Sequence, residues 1–87
     1  MEKNELTILW RMQEKLQSIM GPEWVLVDTV QEITENSSHE RILTFERVSN
    51  PKSHIMINYR VDGSWNHTGP LDSERKEMVE EFLLDYK

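Results

Sequence analysis

The chain contains no cysteine. Disulfide frameworks, iron–sulfur clusters and thiolate zinc sites are therefore excluded. Basic residues are scarce as well, because ten lysines and arginines stand against sixteen acids, which gives a formal net charge of −6. They form no cluster, whereas binding to phosphate backbones requires clustered lysine and arginine. We therefore expect no direct binding to nucleic acid.

Long hydrophobic runs are also missing. No apolar stretch approaches the roughly 20 residues that span a bilayer. The opening residues 1–5 lack the basic and apolar regions of a signal peptide. We therefore expect a cytoplasmic protein with no membrane contact. The apolar content of 37%, with three Trp, two Tyr and two Phe among 87 residues, predicts a single folded domain and not a disordered chain.

No pattern typical of catalysis or cofactor binding is present. Of the three histidines, His39 and His54 begin two predicted strands and His67 follows the last turn, without the spacing of a metal site. There is no glycine-rich phosphate loop and no Gly-x-Ser-x-Gly elbow. The many carboxylates lie on predicted exposed faces, where burial cannot raise a pKa. The sequence therefore predicts a protein that is not an enzyme and holds neither metal nor cofactor.

Two amphipathic patterns predict helices near the ends of the chain. The first runs from about Asn4, as N-cap, to Met20, and Gly21-Pro22 ends it. The second starts at Asp72 or Ser73, either of which can cap a helix. The predicted apolar stripe of the first helix contains Leu6, Leu9, Met12, Leu16, Ile19 and Met20, and that of the second contains Met78, Val79, Phe82, Leu83 and Tyr86.

The residues between the helices predict antiparallel strands. The first strand begins at Trp24 and carries apolar residues on both faces, which indicates either cover on both sides or a bulge. In the next hairpin, Leu43 and Phe45 should share a face with the alternating residues from Ile55 to Tyr59. That requires paired residue numbers with an even sum, and hence a loop of about three or five residues that contains Pro51.

The second hairpin carries Asp62-Gly63, a dipeptide that favours a two-residue type I′ turn. Such a turn places Trp65 opposite Arg60 and His67 opposite Asn58. Because opposed residues share a face, these side chains would lie with Met56 on the sheet face away from the core. We predict that this face carries the function.

The resulting fold class is α+β: one domain over residues 1–87, α-β-β-β(-β)-α, with an antiparallel meander and both helices on one face. This order and length resemble the double-stranded-RNA-binding domain. That family binds phosphates with a basic cluster at the start of its last helix. Here the corresponding residues 73–77 mix acids and bases, so no RNA-binding residue is transferred.

The leading functional hypothesis is a small acidic interaction module, an inhibitor or an adaptor that binds another protein, including a basic one. The predicted interaction residues are Met56, Arg60, Trp65 and His67 on the outer sheet face, or Glu77, Glu80 and Glu81 on the last helix. Self-association through the outer face is part of this hypothesis. The alternative is a nucleic-acid mimic or a nucleic-acid-linked regulator of a basic partner protein. A third hypothesis is a small-ligand pocket lined by Trp24 and Tyr59.

Overall fold

The computed structural model describes residues 3–33, 35 and 38–85, except for the side chains of residues 3 and 4. Its elements follow the predicted order. The helix α1 already includes Asn4, so Asn4 is not its N-cap, and Tyr86 lies outside the described residues. The elements are α1 (Lys3–Met20), β1 (Trp24–Ile33), β2 (His39–Arg47), β3 (Asn50–Arg60), β4 (Trp65–Thr68) and α2 (Ser73–Leu84).

The four strands form one antiparallel sheet in the order β1-β2-β3-β4, and both helices pack on one face of it, as predicted. We call this the inner face and the opposite one the outer face. Leu6 of the predicted α1 stripe and Met78 of the predicted α2 stripe are 46% and 45% exposed, so these two residues do not belong to the core. The most deeply buried side chains are Leu9, Met12, Leu16 and Met20 from α1, Leu43, Phe45, Ile55, Ile57 and Tyr59 from the sheet, and Val79 and Leu83 from α2.

The first strand contains the predicted bulge. Its pairing with β2 shifts by one residue between Leu26 and Asp28, which leaves Val27 as the extra residue. Before the bulge, the even-numbered residues Trp24 and Leu26 lie on the inner face. After it, the odd-numbered residues of β1 lie on that face. Cover on both sides, the alternative prediction, is wrong. From Val27 onward every residue of β1 is exposed, so neither face of this part of the strand is covered.

The hairpin between β2 and β3 has the predicted even register, with Leu43 opposite Ile57 and Phe45 opposite Ile55. The predicted loop is wrong. The chain turns at residues 48–49, and Pro51 lies inside β3 next to an irregularity where the register shifts. Proline is tolerated there because the ladder is interrupted and needs no N–H from that residue.

The hairpin between β3 and β4 differs from the prediction by one residue. The N–H of Gly63 donates to the carbonyl of Arg60 at 3.1 Å, and the N–H of Arg60 donates to the carbonyl of Ser64 at 3.1 Å. With Gly63 at φ 90°, this is a three-residue loop in which a β-turn is followed by a glycine bulge, not a type I′ turn. Trp65 therefore pairs with Tyr59 on the inner face.

Three contacts hold the helices and the connector between β4 and α2, residues 69–72, in place. The hydroxyl of Tyr59 donates to the carbonyl of Leu9 at 2.7 Å in the core. Burial raises the pKa of this phenol, although the charge of Arg41 lowers it in part. Arg75 donates to the carbonyl of Met20 at 3.0 Å and so joins the start of α2 to the end of α1. After β4, Gly69 passes directly over the backbone of β3.

Candidate functional site

The short strand β4 presents two aromatic rings toward the helical side of the sheet. Trp65 pairs with Tyr59 and His67 with Ile57, so both side chains lie on the inner face. Their rings stack with centroids 5.7 Å apart and planes inclined by 25°. Both are half-buried. The prediction that they lie on the outer face is wrong, because the additional loop residue inverts the register of β4.

A groove of about 590 Å³ separates β4 from α2. On the sheet side, Trp65 and the turn before it form one wall. On the helix side, the other wall consists of three carboxylates and the exposed side chain of Leu84, near the end of α2. The lining residues are Gly63, Ser64, Trp65, Glu77, Glu80, Glu81 and Leu84.

A smaller cleft of about 260 Å³ continues this groove along β4. It is lined by residues 65–67 together with Lys76 and Glu80. The beginning of β4 therefore lies beside the end of α2, and the end of β4 lies beside the start of α2. The two elements run in opposite directions along the groove, which is acidic at the Leu84 end and mixed in charge at the Lys76 end.

The sequence of α2 explains why the carboxylates face the groove. Asp72 caps the helix by accepting the N–H of Arg75 at 3.1 Å, and that hydrogen bond lowers the pKa of the Asp72 carboxyl. Val79 and Leu83, one turn apart, point into the core. Glu77, Glu80 and Glu81 then fall on the exposed side of the helix at a rotation of 100° per residue.

These three carboxylates are available for a ligand. Within the described part of the chain, none of them belongs to an ion pair or a hydrogen bond. Carboxylates attract cations, and the face of an indole ring attracts them too. The apolar surface of Trp65 and Leu84 can receive the methylene stem of a lysine or arginine. The chemistry of this groove therefore suits a basic side chain.

The remaining predicted site residues lie on the other side of the sheet. Met56 is 41% exposed on the outer face. Arg60 is engaged there, since its guanidinium pairs with Glu40 at 2.9 Å and donates to the hydroxyl of Ser64 at 3.1 Å. Of the seven predicted residues, five surround the groove and its extension. Met56 and Arg60 do not share a surface with them.

Sequence reasoning missed Gly63, Ser64, Lys76 and Leu84 as part of the site. The missing information was the loop length, because the two-residue turn directs Trp65 away from α2. A signal was present: a large apolar residue at position 65 favours the inner face, where Tyr59 and Ile57 lie.

Among the residues that the structure describes, nothing indicates a metal site or the small-ligand pocket predicted at Trp24 and Tyr59. No group of three or more histidine and acidic residues that could hold a metal ion occurs in the chain as described. His39 pairs with Glu5, and His54 lies 3.5 Å from Glu46, in different parts of the fold. Trp24 and Tyr59 are buried in the core, and Arg47 lies over the Trp24 ring at 4.8 Å. Neither described helix is long and apolar enough to cross a bilayer.

Comparison of the chain with protein-family models, with curated proteins and with solved structures finds no match in any of the three. The chemistry of the groove is therefore the basis for a functional proposal.

Proposed function

We propose that this chain is a non-catalytic interaction module that binds a basic segment of another protein in the groove between β4 and α2. The observation that carries the proposal is the position of Trp65 opposite the carboxylates of Glu77, Glu80 and Glu81. An inhibitor or adaptor role and a cytoplasmic location, both expected from the sequence, belong to the same proposal.

The energetics favour a segment with more than one contact. An exposed ion pair contributes only about 0.2–1 kcal/mol, and a cation over an exposed aromatic ring contributes about 0.5–1 kcal/mol. A single lysine in the groove would therefore bind weakly. Several carboxylates and the apolar surface of Leu84 together can hold a segment of a few residues, and the affinity should fall as salt screens the charges.

The test is fluorescence anisotropy with a labelled peptide of alternating lysine and valine, seven residues long. The groove variant replaces Glu77, Glu80 and Glu81 by glutamine. The matched control replaces Glu14, Glu32 and Glu35, which are exposed away from α2, by glutamine, so that both proteins have the same net charge. We expect the groove variant to bind about tenfold more weakly than the control.

A second variant tests the aromatic wall. Trp65→Leu keeps an apolar side chain but removes the indole face, and we expect severalfold weaker binding. Equal affinity of the wild type and both groove variants would refute the proposal.

The same variants separate this proposal from the nucleic-acid mimic. A mimic would present its acidic surface as a whole to a basic partner. The control with Glu14, Glu32 and Glu35 replaced would then lose as much affinity as the groove variant. An unequal loss, greater for the groove variant, supports a local binding site.

A further inference from the structure

The groove is bordered by a free sheet edge. In the described sheet, β4 is hydrogen-bonded to β3 on one side only. Arg60 and Ser64 form a hydrogen-bonded pair next to the turn. Because hydrogen-bonded and non-hydrogen-bonded pairs alternate in an antiparallel ladder, Trp65 and His67 belong to non-hydrogen-bonded pairs. Their backbone N–H and C=O groups therefore point away from β3, toward the edge.

The residues with these outward backbone groups are the same residues whose side chains face α2. Among the described hydrogen bonds outside the strand pairing, none uses the N–H or C=O of Trp65 or His67. Free backbone groups at a sheet edge are a template for a further strand. Addition of an extended peptide to such an edge is an established mode of peptide recognition, in which alternate side chains enter pockets.

We propose that the basic segment bound by the groove is extended and adds to the sheet as a fifth strand along β4. This inference rests on the proposed function and specifies the conformation of its ligand. Alternate side chains of a strand are separated by about 6.6 Å, since each residue rises about 3.3 Å. Glu77 and Glu81, one helical turn apart, are separated by about 6 Å along the axis of α2. Lysines at alternate positions can therefore face both carboxylates.

The charges of the groove also define the occupant. A second copy of this chain is disfavoured because each copy carries a net charge of −6. Lys76 lies beside His67 at the other end of the groove and would repel a basic side chain there. The basic positions of the ligand should therefore lie toward Leu84 and the turn before β4.

The test compares two isomers of the lysine–valine peptide that has lysine at both ends, each methylated at three backbone nitrogens: those of the three valines in one isomer and those of the last three lysines in the other. N-methylation removes the donors from one set of alternate amides. In an antiparallel addition the lysine amides face β4, and in a parallel addition the valine amides do. We expect one isomer to bind at least about tenfold more weakly than the other, since the two hydrogen bonds donated to the carbonyls of Trp65 and His67 are lost in only one of them. Equal affinities of the two isomers would overturn the strand addition while leaving the groove as the binding site.

Hydrogen exchange provides an independent readout on the protein. Saturation with the unmethylated peptide should slow exchange of the Trp65 and His67 amides at least about tenfold. Bound peptide without this protection would overturn the proposal. Protection that appears without peptide and grows with protein concentration would assign the edge to a second copy, and would overturn it as well. If the unmethylated peptide does not bind at all, the proposed function itself fails.

Discussion

Replacement of Gly69 by alanine should strongly destabilise the fold. Gly69 has φ 97°, a left-handed conformation that side chains disfavour, and its backbone lies against β3. A Cβ atom at this position would overlap the carbonyl oxygen of His54 and lie 3.1 Å from the Cα of Ile55. Both contacts are with backbone, so no side chain can rotate to relieve them.

Gly21→Ala is the matched control. Gly21 has a similar φ of 80°, but the nearest atom to an added Cβ is the Arg75 guanidinium at an ordinary distance of 3.5 Å. Gly21→Ala should therefore lower the unfolding free energy only by the conformational strain, about 1–2 kcal/mol. In Gly69→Ala, the added Cβ must also push the connector away from β3. Typical overpacking of this kind lowers the unfolding free energy by about 1–3 kcal/mol more. We expect a total near 3 kcal/mol for Gly69→Ala.

The assay is urea unfolding followed by tryptophan fluorescence and circular dichroism. A domain of 87 residues has an expected unfolding free energy of roughly 4–13 kcal/mol. With a slope of about 1–3 kcal/mol per molar urea, the midpoint for Gly69→Ala should fall by about 1–3 M. If Gly69→Ala costs no more than Gly21→Ala, the connector is not held against β3 and the reasoning is refuted.

Three further predictions concern the contacts that hold the helices. Tyr59→Phe should cost about 0.5–1.5 kcal/mol in urea unfolding, because it removes the hydroxyl that donates to the carbonyl of Leu9 in the core. Because burial raises the pKa of Tyr59, wild-type stability should decline as the pH rises above about 10, where tyrosine ionises in the unfolded chain. A wild type and a Tyr59→Phe variant with the same alkaline decline would contradict this. Arg75→Ala should lower the melting temperature more than Arg75→Lys, since Arg75 bridges the carbonyl of Met20 and the carboxylate of Asp72; equal melting temperatures for the two variants would show that the bridge contributes nothing.

The order of the elements could be predicted because local signals specify it. Gly21 ends α1 in the left-handed conformation, Asp72 caps α2, and two regions of alternating residues form the central strands. The uneven apolar pattern of β1 indicates either a bulge or cover on both sides, and the structure has the bulge. Each of these features depends on interactions within a few residues, and residue type determines them directly.

The candidate site could be predicted only in its composition. Trp65, His67 and the three glutamates were singled out by residue type, but their meeting in one groove depends on the register of β4. The dipeptide Asp62-Gly63 is compatible with both a two-residue turn and the observed three-residue loop. The longer loop is supported by the carboxylate of Asp62, which accepts hydrogen bonds from the N–H of Ser64 at 2.8 Å and from its hydroxyl at 2.6 Å. One residue of loop length decided which surface contained the aromatic pair.

The free edge of β1 has a consequence for how the protein behaves in concentrated solution. An open edge strand of ten residues can form backbone hydrogen bonds with the same strand of another molecule, and such pairing starts aggregation. The Val27 bulge distorts this edge, and Asp28 and Glu32 place like charges on it. Protection by charge fails when carboxylates are neutralised or screened. Colloidal stability should therefore be lowest near the sequence isoelectric point of about 5.0, and crystallisation and storage are best planned well above that pH.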